Sequence, residues 1–200
     1  MISAITALLV MINPFAIFIY LTPVMRSLHH RGFVLVFLKS SLISFFLLLF
    51  FFFAGEYVFK NILSINFESF RIFGGIVIFS FAYLYIVSGR RALILIKENL
   101  DDLASEIAIP FIAGVGTISL TILVSHRLNM WQGILTITSV LLINFGIIIG
   151  LKLIRDRMPS KKFKIFFDKN MQVLMRIMGF LIGAIGIDLI IAGIKNSFGL

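Results

Sequence analysis

Residues 33–55 read FVLVFLKSSLISFFLLLFFFFAG, and Lys39 is the only charged residue in this run. A helix that crosses the roughly 30 Å hydrocarbon core of a bilayer needs about 20 predominantly apolar residues. The run does not alternate apolar and polar positions, as the strands of a membrane barrel do. It therefore predicts a membrane-spanning helix, in which Lys39 extends its ammonium group toward the interface.

The composition of the whole chain agrees with this prediction. Of its 200 residues, 60% are hydrophobic and 14% are charged, and the mean hydropathy is +1.09. Soluble domains have roughly 45–50% apolar and about 25% charged residues. The composition excludes a soluble enzyme and a disordered chain, and the absence of cysteine excludes a disulfide scaffold. The basic residues that give the chain its net charge of +9 lie in short gaps between apolar runs, so we expect no nucleic-acid partner.

Six stretches are long and apolar enough to cross a membrane as helices. They lie at 4–25, 33–55, 70–88, 107–125, 133–154 and 177–194. The first has no basic residue ahead of it and no small-residue cleavage site, so it is not a signal peptide. The sequence therefore predicts an all-α integral membrane protein with one transmembrane domain over residues 1–200. Residues 158–173, which mix phenylalanines with charges, are expected to form a separate helix on the membrane surface.

The distribution of Lys and Arg predicts the orientation of this domain. The odd-numbered gaps contain most of them: Arg26 and Arg31; Arg90, Arg91 and Lys97; Lys152, Arg155, Arg157, Lys161, Lys162, Lys164, Lys169 and Arg176. The other side has only Lys60, Arg71, Arg127 and Lys195. Because basic loops stay in the cytoplasm, we expect the odd-numbered loops inside and both termini outside.

Weak internal similarity suggests two halves, about 1–96 and about 105–200. The sequence RIFG at 71–74 matches RIMG at 176–179, and Pro14-Phe15 matches Pro110-Phe111. Since three spans separate each matched pair, the halves run in opposite directions across the membrane. This is the inverted-topology repeat of many secondary transporters, although chance similarity between apolar helices is the alternative.

Spans one and four contain helix breakers at corresponding places. Span one has Asn13-Pro14, and span four has Pro110 followed by Ala-Gly-Val-Gly at 113–116. A broken helix exposes free N–H groups at one new end, which suit a carboxylate, and free C=O groups at the other, which suit an ammonium. The breaks therefore predict a mid-membrane site for a zwitterion, unless both prolines only kink packed helices. The predicted substrate-binding residues are Asn13, Pro14, Phe15, Ala16, Pro110, Ala113, Gly114, Val115, Gly116 and Thr117.

Other residues within the spans have expected supporting roles. Asp188 is the only acid deep in a span, which predicts coupling to a proton or cation, or else a place near the outer interface. Asn144 and Ser119 are expected to give polar support, with Asn144 acting as hydrogen-bond glue between helices or as a ligand. Five glycines are expected to let helices approach closely: Gly74, Gly75, Gly179, Gly183 and Gly186. We find no metal-ligand or cofactor motif.

Taken in order, several motifs resemble the MarC family of membrane proteins over essentially the whole chain. They are Asn13-Pro14, Gly55 with Ile62-Leu63, FRIFGG at 70–75, Pro110 with AGVG at 113–116, MRIMG at 175–179 and AGI at 192–194. The resemblance implies a six-helix fold and transport of small neutral amino acids such as glycine and alanine. Ala16, Ile19 and Val115 replace the glycine or proline that the family often has, which implies milder breaks.

These observations lead to the expectation of a non-enzymatic secondary transporter in the bacterial inner membrane. Its expected partners are a small neutral amino acid, the lipid bilayer and a coupling proton or sodium ion, with a homo-oligomer left open. One alternative is a channel or efflux pump for small apolar compounds, which a wide apolar cavity would favour. Another is a membrane scaffold or enzyme subunit, for which the best polar cluster is His29, His30 and Arg31.

Overall fold

The computed structural model describes residues 1–62, 64, 66–87 and 100–199. Outside these residues lie the end of the third predicted span, the loop with Arg90, Arg91 and Lys97, and the 88–96 end of the first half. This described part of the chain is helical and contains no strand. The α-helices are α1 (Ile2–Ile12), α2 (Pro14–Ser27), α3 (His30–Tyr57), α4 (Phe67–Val87), α5 (Leu100–Ile107), α6 (Val115–Ser125), α7 (Met130–Asp156) and α8 (Lys161–Phe198). A π-helical turn, Val58–Ile62, follows α3, and a second, Ala108–Ile112, follows α5.

These helices form the predicted membrane spans. Five segments are long and apolar enough to cross a membrane: Ile2–Ser27, His30–Ile62, Glu68–Val87, Met130–Asp156 and Lys161–Phe198. The remaining predicted span, span four, corresponds to the second π-helical turn and α6, an apolar helix shorter than the other five segments. The all-α membrane fold is thus confirmed, and spans one and four are both interrupted as predicted.

The sixth span differs most from its predicted bounds. Helix α8 starts at Lys161 rather than near 177 and runs for 38 residues, or about 57 Å at 1.5 Å per residue. The side chain of Ser160 accepts a hydrogen bond from the backbone N–H of Phe163 and so caps its first turn. The prediction of a separate helix over 158–173 was wrong, because the chain has no proline between this cap and Gly199 and continues as one helix. The basic segment is instead the first part of α8.

Two sets of polar contacts show which ends of the helices lie together. At one end, Asp168 of α8 lies 3.6 Å from Arg26 of α2 and forms an ion pair with Arg155 of α7. At the opposite end, Glu56 of α3 lies 3.6 Å from His126, which follows α6. The connection between α2 and α3 and the connection between α7 and α8 therefore lie at the same end of the bundle, which we call the basic end. The connections that follow α3 and α6 lie at the opposite end, which we call the terminal end.

The pattern of burial supports an inverted repeat, which itself stays a prediction. The buried positions of α3 recur in α7 at a constant offset of 100 residues. They are Phe33, Val36, Phe37, Ser40, Ser41, Ser44, Leu48, Phe52 and Gly55 in α3, and Gly133, Thr136, Ile137, Val140, Leu141, Asn144, Ile148, Lys152 and Arg155 in α7. Helix α3 packs against α6 of span four and against the preceding α5, while α7 packs against α1 and α2 of span one. Each contact thus has a counterpart in the other half.

Helices α4 and α8 form the most extensive helix pair, and glycines lie where they approach closely. A Cβ atom added to Gly75 would lie 2.6 Å from the carbonyl oxygen of Gly186, and one added to Gly179 would lie 3.3 Å from that of Ala82. These two contacts correspond at an offset of 104, one residue less than the match of RIFG with RIMG suggests. The packing of α4 on α8 therefore looks alike from either half.

Candidate functional site

Break one interrupts the first span at Asn13. This residue has φ 51° and ψ 78°, a left-handed conformation that asparagine tolerates better than most residues. The following Pro14 has no N–H group, so the carbonyl of Val10 loses its helical partner. The Oδ1 atom of Asn13 accepts a hydrogen bond of 3.2 Å from the backbone N–H of Ala16 and thereby caps α2. One asparagine therefore ends α1 and starts α2.

Break two differs in form from break one and falls after Pro110 rather than at it. Pro110 lies within the π-helical turn, where the N–H of Ala113 donates a 2.8 Å hydrogen bond to the carbonyl of Ala108. Gly114 is extended, with φ −70° and ψ 170°, and α6 starts at the next residue. The hydroxyl of Thr117 lies 2.8 Å from the carbonyl oxygen of Ile112 and 2.9 Å from that of Gly114. This hydroxyl holds the turn against the start of α6.

A cavity of about 40 Å³ lies between the two broken spans. Met11, near the C-terminal end of α1, contributes one wall, and the first turn of α6 contributes another. The remaining wall residues are aromatic or branched aliphatic. The full lining is Met11, Ile78, Phe81, Tyr85, Phe111, Gly114, Val115, Gly116, Thr117 and Ile182. The cavity therefore lies at the first turn of α6, the positive end of that helix dipole, and beside the last turn of α1.

The structure brings some of the predicted binding residues to this cavity and not others. Gly114, Val115, Gly116 and Thr117 line it, whereas Ala113 is buried beside them in the break. The predicted residues of span one lie elsewhere: Asn13 and Ala16 are buried at the start of α2. Pro14 and Phe15 follow Asn13 in the same first turn, and the side chain of Pro110 lies outside the described residues.

The sequence did not predict the aromatic wall of the cavity. The rings of Tyr20 and Phe111 lie 5.4 Å apart between centroids, and those of Tyr20 and Tyr85 lie 6.0 Å apart. They join α2, α4 and the π-helical turn on one side of the site. In a chain with 23 phenylalanines and four tyrosines, no spacing separates these rings from those that face lipid. The scarcity of tyrosine was the only feature of the sequence that could have pointed to this wall.

The first turn of α6 is suited to a negative group. Its cap residue, Gly114, has no side chain to accept hydrogen bonds from the first N–H groups of the helix. The positive end of the helix dipole therefore faces the cavity without a side-chain acceptor in between. Gly116 lets Ile78 and Met11 pack directly against this turn, since an added Cβ would lie 2.8 Å from Cγ1 of Ile78 and 3.2 Å from Cε of Met11.

The two ends of the bundle differ in how closely their helices pack. A crevice of about 200 Å³ at the terminal end runs between Met1–Ala7 of α1 and Leu120–Leu128 around the end of α6. At the basic end, the rings of Phe18 and Phe167 pack edge to face with centroids 5.8 Å apart. Asp168 there is only 2% exposed and pairs with Arg155 through two hydrogen bonds, of 2.8 and 3.1 Å. The terminal end thus has a crevice beside α1, whereas packed rings and a buried ion pair hold the helices together at the basic end.

The predicted supporting residues lie around the site at various distances. Asp188 is on the exposed side of α8 and does not line the cavity, so a coupling role for it has no support from its position. Ser119 packs against Gly74, whose added Cβ would lie 2.5 Å from the serine Oγ.

Asn144 is fully buried in the middle of α7. Gly183 makes only ordinary contact, at 3.4 Å from Ala82 Cβ. In the described part of the chain, no three His, Asp or Glu side chains lie close enough to hold a metal ion.

Known proteins are similar in sequence to this chain over most of its length. A UPF0056 membrane protein of Buchnera aphidicola subsp. Schizaphis graminum is 29% identical over 96% of this chain and 90% of its own. One of Pyrococcus horikoshii is 28% identical over 81% of this chain and 78% of its own, and YvbG of Bacillus subtilis is 26% identical over 80% and 77%. No solved structure is significantly similar. The family described as "MarC family integral membrane protein" matches residues 1–198, and the chain therefore belongs to the MarC family.

Proposed function

We propose that this protein is a secondary transporter of small neutral amino acids, such as glycine and alanine. The observation that carries the proposal is the cavity between the C-terminal end of α1 and the N-terminal end of α6. The N–H groups of α6 suit the substrate's carboxylate, and the carbonyl groups at the end of α1 suit its ammonium. Two opposed helix ends of this kind complement a zwitterion without any charged side chain.

The size of the cavity limits the substrate. A cavity of about 40 Å³ holds roughly three waters, at about 10–15 Å³ of accessible volume for each. Glycine has five non-hydrogen atoms, so it requires a slight opening of the walls, and each added carbon requires more. The flexible Met11 side chain can supply this opening. Large or branched amino acids would meet Ile78 and the aromatic wall.

Alternating access would use the difference between the two ends of the bundle. In the proposed cycle the crevice beside α1 would lead to the cavity from the terminal end, while the contacts of Phe167 and Asp168 would keep the basic end closed. The opposite conformation would separate α8 from α2 at the basic end and bring α1 and α6 together at the other. A proton or sodium ion would drive the cycle.

The alternative of a channel or efflux pump has less support. A wide apolar cavity at the breaks would favour it, but the cavity there is small and adjoins two helix ends. The apolar cavity of about 310 Å³ lies elsewhere, between α3 and α7. Its walls include Leu38 and Leu42, which are each more than half exposed on the lipid-facing surface. A scaffold or enzyme subunit has no supporting observation at the breaks.

Uptake of radiolabelled glycine into proteoliposomes tests the proposed function. We expect uptake above that of empty liposomes, with competition from alanine but not from leucine. Gly116→Ala is expected to lower uptake at least tenfold, because its methyl group occupies the wall between Ile78 and Met11. Gly146→Ala is the matched control, since an added Cβ there has no atom of the described residues within 4 Å. Absence of uptake for every small neutral amino acid would reject the proposal.

We further propose that the protein resides in the bacterial inner membrane with its basic end in the cytoplasm and both termini outside. The natural chain has no cysteine, so single cysteines can be introduced without background. In intact cells, a membrane-impermeant maleimide is expected to label Ser3→Cys and not Lys161→Cys, both at exposed positions. The reverse labelling pattern would invert the topology.

A further inference from the structure

Break one contains polar atoms that the proposed cavity does not use. Asn13 and Asn144 are both 0% exposed. Within the described residues, the Nδ2 atom of Asn13 and both side-chain polar atoms of Asn144 have no hydrogen-bond partner. A buried amide without partners is costly in a protein, and more so where no bulk water can reach it. These two residues therefore require a partner of some kind.

The helix packing places the two amides in the same region of the bundle. Helix α7 packs against both α1 and α2, and Asn13 is the residue between them. Asn144 is near the middle of α7, about 21 Å from its start, and Asn13 is about 16 Å from the start of α1. Both starts lie at the terminal end of the bundle, so the two asparagines are at similar depth.

The other half of the protein shows what this position contacts. Ser44 of α3 corresponds to Asn144 at the offset of 100 that relates the buried faces of α3 and α7. The Oγ atom of Ser44 lies 3.4 Å from the carbonyl oxygen of Ala108, where the π-helical turn of break two begins. By this correspondence, Asn144 faces break one. Ser44 has partners in the protein, whereas the amide of Asn144 has none among the described residues.

The chemistry of the unused groups favours an anion. The Oδ1 atom of Asn13 already accepts a hydrogen bond from Ala16, which leaves its NH₂ group as the available donor. The NH₂ group of Asn144 is a second donor. Asn13 lies at the N-terminal end of α2, a helix of 14 residues whose dipole favours negative charge, and the correspondence with Ser44 places Asn144 at the same break. A cation would have one side-chain oxygen here, that of Asn144, and the freed carbonyl of Val10, whereas the two NH₂ groups and the N-terminal end of α2 would oppose it.

We propose that Asn13 and Asn144 form a subsite at break one that binds a carboxylate group. The carboxylate is that of the transported amino acid at a second stage of its passage, or that of a small free acid. This subsite corresponds, in the first half, to the N-terminal end of α6 in the second half. Its role in transport rests on the function proposed above, whereas its ability to bind a carboxylate does not.

Substitution of Asn144 tests the role of the subsite in transport. Asn144→Leu removes both polar groups at similar volume, and we expect it to raise the KM for glycine at least tenfold. Asn144→Asp is expected to raise the KM further, because its charge repels a carboxylate. Thr136→Val is the matched control, since Thr136 is a buried residue of α7 whose hydroxyl also has no partner in the described part. We expect it to leave the KM unchanged.

Each other outcome contradicts the proposal in a different way. An unchanged KM in Asn144→Leu would mean that the amide serves packing or a structural water only. A lower KM in Asn144→Asp would mean that the subsite binds the ammonium group or a coupling cation. If Asn144→Leu fails to fold, the comparison of Asn144→Asp with wild type still separates these possibilities.

A binding measurement that does not depend on transport separates the subsite from the proposed function. The melting temperature of the detergent-solubilised protein is followed with sodium acetate and, at equal ionic strength, with sodium chloride. We expect acetate to stabilise wild type and Thr136→Val, and Asn144→Leu less than half as much. Equal stabilisation of all three would overturn the subsite. Stabilisation lost in Asn144→Leu, with no glycine uptake by wild type, would keep the subsite and reject the transporter.

Discussion

Gly75→Ala is expected to lower the free energy of unfolding by about 3 kcal/mol, the upper part of the usual range for overpacking. The added methyl carbon would lie 2.6 Å from the carbonyl oxygen of Gly186, 2.7 Å from Cγ1 of Ile190 and 3.1 Å from the backbone nitrogen of Ile190. A side chain can rotate away from such a contact, but a helix backbone cannot. Helices α4 and α8 must therefore separate along the most extensive helix pair of the protein.

The measurement is the unfolding of the purified protein in mixed micelles, followed by its circular dichroism. Gly183→Ala is the matched control on α8, because its added Cβ would make only ordinary contact, at 3.4 Å from Ala82 Cβ. Since alanine favours a helix over glycine by about 1 kcal/mol, this control should be neutral or stabilising. Equal unfolding of the two variants would show that α4 and α8 do not pack as closely as the structure has them.

The spans and the breaks could be predicted because they depend on local sequence. A run such as 33–55 forms a helix in lipid wherever it occurs, since every backbone group must be bonded internally. Pro14 likewise removes a helical hydrogen bond whatever surrounds it. The exact place of break two could not be predicted from Pro110, because a π-helical turn carries the chain past this residue to Gly114.

The walls of the cavity depend on packing between distant parts of the chain. Met11, Ile78 and Ile182 look like ordinary apolar residues of three different spans, and only the crossing of these spans brings them together. Asp188 shows the converse: its position in an apolar run suggested function, but its side of α8 is set by the glycines that face α4. From a single sequence, the side of a helix that packs against its neighbours can be predicted only where polar residues distinguish it from the other sides.

The ion pair at the basic end is expected to have the other large effect on stability. Arg155 is 5% exposed and Asp168 is 2% exposed, and removal of one partner leaves a buried charge without its counterion. We expect Arg155→Met or Asp168→Asn to lower the free energy of unfolding by about 3–5 kcal/mol. Arg26, 3.6 Å from Asp168 and largely exposed, compensates for little of this loss. Glu56→Gln, in an exposed pair with His126, should change stability by less than about 1 kcal/mol.

The double variant Arg155→Met/Asp168→Leu separates the stability of this pair from its role in closing the basic end. Because apolar residues of similar volume often replace a buried ion pair without loss, we expect it to be more stable than either single variant. A hydrophobic contact would still hold α7 to α8, but it would lack the strict geometry of two parallel hydrogen bonds. If this end must open in each cycle, glycine uptake should change in the double variant although folding is restored. Wild-type uptake together with restored stability would mean that the pair serves folding alone.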